Sequence, residues 1–173
     1  GKSKTVCEWE DLVACSKLPL IDLDGSNCTG SVDFADLRDF ASAGLRFKKN
    51  GMQYYIEHSW VHEGSLELTN YSVDLNEEIK KGNLTVIKKH ESPTIPPDVI
   101  GALKEAFEQK GLPEVLQIRS GTISHNKVAP ILDQLLANHL IKLPDTKLFR
   151  WYVWNTKREV DKKGNVAYYK IEP

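Results

Sequence analysis

Residues 123–143, ISHNKVAPILDQLLANHLIKL, decide how the second half of this 173-residue chain is read. Val128, Ile131, Leu132, Leu135 and Leu136 recur at i, i+3, i+4, i+7 and i+8. That spacing gathers apolar side chains on one face of an α-helix. Ser124 is suited to cap its start. Pro130 has no backbone donor and its ring crowds the preceding turn. It therefore either kinks one helix or occupies the first turn of a second.

On the C-terminal side, residues 148–154 (LFRWYVW) and 166–171 (VAYYKI) are rich in aromatic and β-branched side chains and are expected to be strands. The polar stretch 155–165 between them holds Lys162-Lys163-Gly164-Asn165, a natural turn. On the N-terminal side, Ser120-Gly121 interrupts the chain. Before it, Pro97-Asp98 opens a helix with Val99, Ile100, Leu103 and Phe107 on one face, stopped by Gly111. The prolines at 93, 96 and 97 bar helix and central strand alike, so residues 91–98 are expected to be a connector.

The first half is expected to be a helix followed by a β meander. Ser31 would cap a helix bearing Phe34, Leu37, Phe40 and Ala41, with Gly44 as its stop. Asn50-Gly51 tolerates the positive φ of a type I′ hairpin turn. Residues 52–62 alternate as a strand with Tyr54, Ile56 and Trp60 on one face, and Glu63-Gly64 allows a reversal into a strand over 65–73. Residues 84–89 form the last short strand. The expectation is an α+β chain: a helix-plus-meander domain over 1–90, a connector over 91–98 and a helix-rich domain ending in a hairpin over 99–173.

The order of elements in residues 96–172 resembles a winged helix, and ISHNKVAPILDQLLANHLIKL is similar to the third helix of such domains. The resemblance implies a helix in a DNA groove and a basic hairpin, the wing, on phosphate. Charge gives it partial support. Residues 142–170 carry eight Lys/Arg against three acids, a net +5, whereas the third helix offers one firm cation, Lys127, and no Arg. The candidate nucleic-acid contacts are Asn126, Lys127, Arg150, Lys157, Arg158, Lys162 and Lys163. The hairpin aromatics alternate over two faces, one for packing and the other for packing or base stacking. Winged helices without a basic recognition helix also serve as protein-docking modules, the alternative reading.

Composition bounds the rest. Forty per cent of residues are hydrophobic and 27% charged, so the chain can build a core and is not a disordered tract. No apolar run reaches the roughly 18 residues of a membrane span. The formal charge of −1 conceals an asymmetry. Residues 1–94 hold 11 Lys+Arg and 15 Asp+Glu, residues 95–173 hold 12 and 9, and the halves therefore carry −4 and +3. Three cysteines (Cys7, Cys15, Cys28) are too few for a disulfide scaffold and fit a reducing, intracellular setting. Against that stand three glycosylation sequons, at Asn27, Asn70 and Asn83. The opening Gly1-Lys-Ser-Lys-Thr5 is no signal peptide, and the chain is expected to be a piece of a larger protein.

Motifs for catalysis are sparse. Asp22, Asp24, Ser26, Asp33 and Asp36 faintly resemble a calcium loop running into a helix, but with three residues too many and no terminal Glu. His58 and His62, four apart on a strand, lie about 13 Å from each other, too far to share a metal. There is no HExxH, Walker A loop, nucleophile elbow or dinucleotide fingerprint. The resulting expectation is a noncatalytic nucleic-acid or chromatin-binding module, nuclear, with DNA or RNA and a protein as partners. No metal, cofactor, membrane or small-molecule substrate is expected.

Overall fold

The structure, a computed structural model, describes residues 3–17, 21–33, 40–68, 71–88 and 122–171. Contacts divide the chain into two compact units, residues 1–27, 47–55 and 117–173 in one, 28–46 and 56–116 in the other. The chain is mixed α/β, as expected at the level of class. The expected connector at 91–98 and the helix opening at Pro97 lie outside the described residues.

In the second unit, β2 (Cys28–Asp33), β3 (Phe40–Lys49), β4 (Met52–His62) and β5 (Leu84–Ile87) are hydrogen-bonded in that order. Where a helix was expected from Ser31 to Gly44, residues 31–33 end β2 and residues 40–44 open β3, with Gly44, read as a stop, buried in mid-strand; residues 34–39 lie outside the described residues. Ladder bonding on both sides of β3 outweighs a weak helical periodicity. Ala41, Trp60 and Ile87 form the core here, with Val32 and Ala43 against it. In place of the strand expected over 65–73, residues 65–68 belong to α2 (Glu63–Leu68), residues 71–73 are in no strand and α3 (Leu75–Lys80) follows; residues 69–70 lie outside the described residues. Asp74 caps α3 by accepting from Glu77 N–H at 3.2 Å. The chain then returns so that β5 runs parallel to β4, Ser59 opposite Leu84 and His62 opposite Ile87, which no meander would give.

The first unit holds the tip of the β3–β4 hairpin, where Asn50 (φ 54) and Gly51 (φ 78) make the left-handed turn that their sequence demands. Its other elements are β1 (Ser3–Thr5), α1 (Trp9–Cys15), α4 (Thr122–Ala137), β6 (Ile141–Lys142), α5 (Lys147–Trp154), β7 (Thr156–Val160) and β8 (Val166–Lys170). α4 is one helix with Pro130 inside it. It ends as a Schellman motif: His139 adopts φ 54, its N–H bonds Leu136 O at 3.2 Å, and Leu140 N–H bonds Leu135 O at 2.8 Å. Leu12 and Cys15 of α1 pack with Leu136, Ile141 and Leu143 in a core that Tyr55, Phe149 and Val153 join.

The segment LFRWYVW, expected as a strand, is helix α5. Thr146 caps it by accepting from Phe149 N–H at 3.0 Å, and Leu148 is fully buried. Phe149 and Val153, four apart, both reach the core. A spacing of four satisfies helix and strand alike, so the cap and the core decide. The C-terminal hairpin is instead β7 and β8, with β1 added to β7 in an antiparallel sheet ordered β1-β7-β8. A helix stands where the first strand of a wing was expected, and the winged-helix order of elements is absent.

Candidate nucleic-acid interface

The hairpin tip is built by three side chains. Asp161 accepts from the backbone N–H groups of Lys163 (2.8 Å) and Asn165 (2.9 Å) and from Asn165 Nδ2 (3.0 Å). The donors from Asn165, chiefly, hold its carboxyl below the usual aspartate range. Gly164 supplies the positive φ, 81°, that closes the turn. Asn126, near the start of α4, ties this tip to the helix: its Oδ1 accepts from Val166 N–H at 2.6 Å and its Nδ2 donates to Asn165 Oδ1 at 3.1 Å. Both polar atoms of the Asn126 amide are thus bonded within the fold.

The cations expected at the interface divide in the same way. Arg158 donates from Nη1 to both carboxylate oxygens of Asp133 on α4, at 2.7 and 2.6 Å. Its Nε is buried and has no hydrogen-bond partner among the described residues, and the same holds for the hydroxyl of Tyr168, its neighbour across the strands. Arg150 pairs with Asp145 at 2.6 Å. Lys157 lies 3.3 Å from Glu159 and 5.7 Å from the centre of the Tyr169 ring. Lys127, Lys162 and Lys163 are exposed and in no ion pair among the described residues. Lys162 and Lys163 share the tip that Asn126 tethers, and Lys127 follows Asn126 on α4. What sequence reading missed is the role of Asp133 and Asp161, because the acids that neutralise Arg158 and shape the turn were counted only as charge.

The sheet face is sorted by strand alternation. Arg158 and Tyr168 turn towards α4, where Tyr168 N–H donates to His125 Nδ1 at 3.2 Å and the two rings meet edge-on at 5.2 Å. Lys157 and Tyr169 turn the other way, and Tyr169 remains 50% exposed.

Other candidate residues are placed as follows. Asp22 Oδ1 accepts from Asp24 N–H at 3.0 Å in a local turn, and Asp33 ends a strand, while Asp36 of the calcium-loop resemblance lies outside the described residues. His58 Nε2 lies 2.7 Å from Thr85 Oγ1, while His62 is buried with Nδ1 accepting from Gly64 N–H at 3.1 Å. Burial raises the thiol of Cys7 to about 11 and that of Cys15 above its ordinary value, and all three cysteines are free. Glu57, on β4 in the second unit, accepts a hydrogen bond from Ser59, and burial pushes its carboxyl up to about 7. Among the described residues no three His, Cys, Asp or Glu side chains could hold a metal ion together, and no helix is long and apolar enough to cross a membrane.

No protein-family model matches the chain, and no curated protein matches its sequence. Solved structures do. The chain is similar to the large terminase of bacteriophage HK97 with a TM-score of 0.77 at 11% identity, over 96% of this chain and 40% of that one. It also aligns with the large terminase nuclease of the thermophilic phage G20c with bound magnesium (TM-score 0.43, 13% identity, 85% and 73% of the chains). A third is the large terminase of another thermophilic bacteriophage (TM-score 0.48, 16% identity, 95% and 39%). The chain spans two fifths of the length of the HK97 protein. The likeness to HK97 concerns architecture, and it overturns the winged-helix assignment. The expectations that rested on that assignment fall with it: a noncatalytic chromatin module, no enzyme, and a place in the nucleus.

Proposed function

We propose that this chain is the DNA-cleaving part of a phage-type large terminase, a nuclease that hydrolyses phosphodiester bonds with the help of a divalent cation. The observation that carries the reading is the HK97 architecture, followed over 96% of the chain. Two local features support it. In the first unit, Lys127, Lys162 and Lys163 are exposed cations in no ion pair among the described residues, on a hydrogen-bonded frame suited to phosphate. In the second unit, Val32 packs into the core, so alternation turns Asp33, the last residue of β2, to the opposite face, where it is exposed. Asp33 is the carboxylate that we assign to the chemistry.

Magnesium takes oxygen ligands, and Asp33 offers a donor of that kind. Asp36 and Asp39, its neighbours in sequence, lie outside the described residues. The described residues alone do not complete a cation site. Their part of the reaction is limited to holding the DNA backbone and presenting one acid. Of the contacts inferred from sequence, Lys127, Lys162 and Lys163 are retained for phosphate, whereas Asn126, Arg150 and Arg158 are assigned to holding the frame.

The test is incubation of the chain with supercoiled plasmid and millimolar magnesium or manganese. Nicking and linearisation are expected, abolished by EDTA and by Asp33→Asn. A folded chain that cuts no DNA with either cation would overturn the reading. Cutting that survives Asp33→Asn would remove Asp33 from the chemistry.

A further inference from the structure

We propose that the outer face of the β1-β7-β8 sheet binds single-stranded DNA by stacking an unpaired base on Tyr169. The proposal rests on the preceding reading for its ligand, DNA, and goes beyond it in naming the strand state and the residue.

The register places Thr5, Lys157 and Tyr169 in one row across the three strands. Neighbouring strands lie about 4.8 Å apart, so the row spans about 10 Å, the scale of one nucleotide with its flanking phosphates. Its counterpart on the inner side, Lys4, Arg158 and Tyr168, faces α4, which takes up both the Arg158 charge and the Tyr168 ring. Tyr168 and Tyr169 thus have opposite fates: one packs on His125, the other keeps half its surface in solvent.

Charge selects the occupant. Residues 156–170 carry Lys157, Arg158, Lys162, Lys163 and Lys170 against Glu159 and Asp161. Arg158 is spent on Asp133. Asp161 accepts from neutral donors and keeps its charge, so the outer face and tip set Lys157, Lys162 and Lys163 against Glu159 and Asp161, a net +1. A hydrophobic protein partner would want an apolar face, whereas this one presents Thr5, Lys157, Glu159 and Tyr169. Lys157 sits between Glu159 and the Tyr169 ring, where it can exchange a carboxylate for a phosphate without leaving the ring. The rigid tip fixes where Lys162 and Lys163 meet the backbone.

Stacking of this kind needs an unpaired base, because duplex bases already stack on one another, and it is indifferent to sequence. The test is fluorescence anisotropy of the whole chain with a labelled oligothymidylate and with a blunt hairpin duplex, in EDTA so that nothing is cut. Tyr169→Ala should weaken single-strand binding about tenfold, leave its salt dependence unchanged and spare the duplex. Tyr169→Trp should restore it. Lys157→Ala should instead flatten the single-strand salt dependence by about 0.7. Equal losses on both DNAs, or none on the single strand, with circular dichroism showing folded variants, would overturn the proposal. A chain that binds the single strand through Tyr169 but cuts no plasmid retires the nuclease reading and leaves this one standing. A chain that cuts plasmid while Tyr169→Ala binds normally does the reverse.

Discussion

Arg158 and Asp133, 25 residues apart in sequence, form a two-oxygen ion pair that joins the C-terminal hairpin to helix α4, with Nη1 at 2.7 and 2.6 Å from the carboxylate oxygens. Sequence offered this arginine as a candidate DNA contact; in the structure its guanidinium is held by Asp133. Charge-assisted hydrogen bonds in a partly shielded setting are worth more than an exposed surface pair. Arg158→Ala should therefore cost about 1–2 kcal/mol of stability. DNA affinity measured on the folded fraction should barely change. Urea denaturation beside anisotropy at one salt concentration checks both halves, and a large loss of affinity with unchanged stability would return Arg158 to the DNA.

Asn126 makes the second tie, through Val166 N–H and Asn165 Oδ1. Asn126→Ala leaves that N–H without its acceptor and should lower stability by about 1–2 kcal/mol. The local signature is sharper: amide exchange at Val166 should accelerate while that within α4 does not. Unchanged protection at Val166 would show that the tether is not holding the tip.

The three exposed lysines make a separable prediction. Replacing Lys127, Lys162 and Lys163 together by Ala should weaken duplex DNA binding and flatten the plot of log affinity against log salt by about 2–3, at roughly 0.9 for each phosphate no longer neutralised. Stability should move little, since none of the three pairs with an acid among the described residues. A slope equal to the parent's would place the phosphate contacts elsewhere.

Glu57 predicts a pH dependence with a definite sign. Its carboxyl titrates near 7 in the folded chain because burial disfavours the charge, against about 4.5 when exposed. The folded state therefore binds the extra proton between those values, so this group's contribution is fully present below about 4.5 and lost as pH rises through about 7. The loss is on the order of 3 kcal/mol. Glu57→Gln keeps a partner for Ser59 and should flatten this decline, making the variant the more stable protein at pH 8. Thermal melts at pH 5 and pH 8 decide it, and parallel pH profiles for the two proteins would show that Glu57 is not the titrating group.

What the sequence by itself determined is whatever neighbours in the chain settle among themselves. Asn50-Gly51 had to turn because both residues tolerate positive φ, and the strand over Met52–His62 followed from alternation. α4 followed from an apolar stripe too long for a strand, and Lys162-Lys163-Gly164-Asn165 from turn chemistry. The clustering of positive charge near the C-terminus was legible too. The tertiary structure alone decided the rest. LFRWYVW has a spacing that suits either period, and it became a helix because Thr146 caps it while Phe149 and Val153 meet a core drawn from α1 and α4. Residues 40–49 became a strand because β2 and β4 offered hydrogen bonds on both edges, and β5 became a parallel partner because the chain returned through two helices. That Arg158 is paired with Asp133, 25 residues away, was likewise decided in space. An ion pair needs proximity in space, and local pattern carries no record of that.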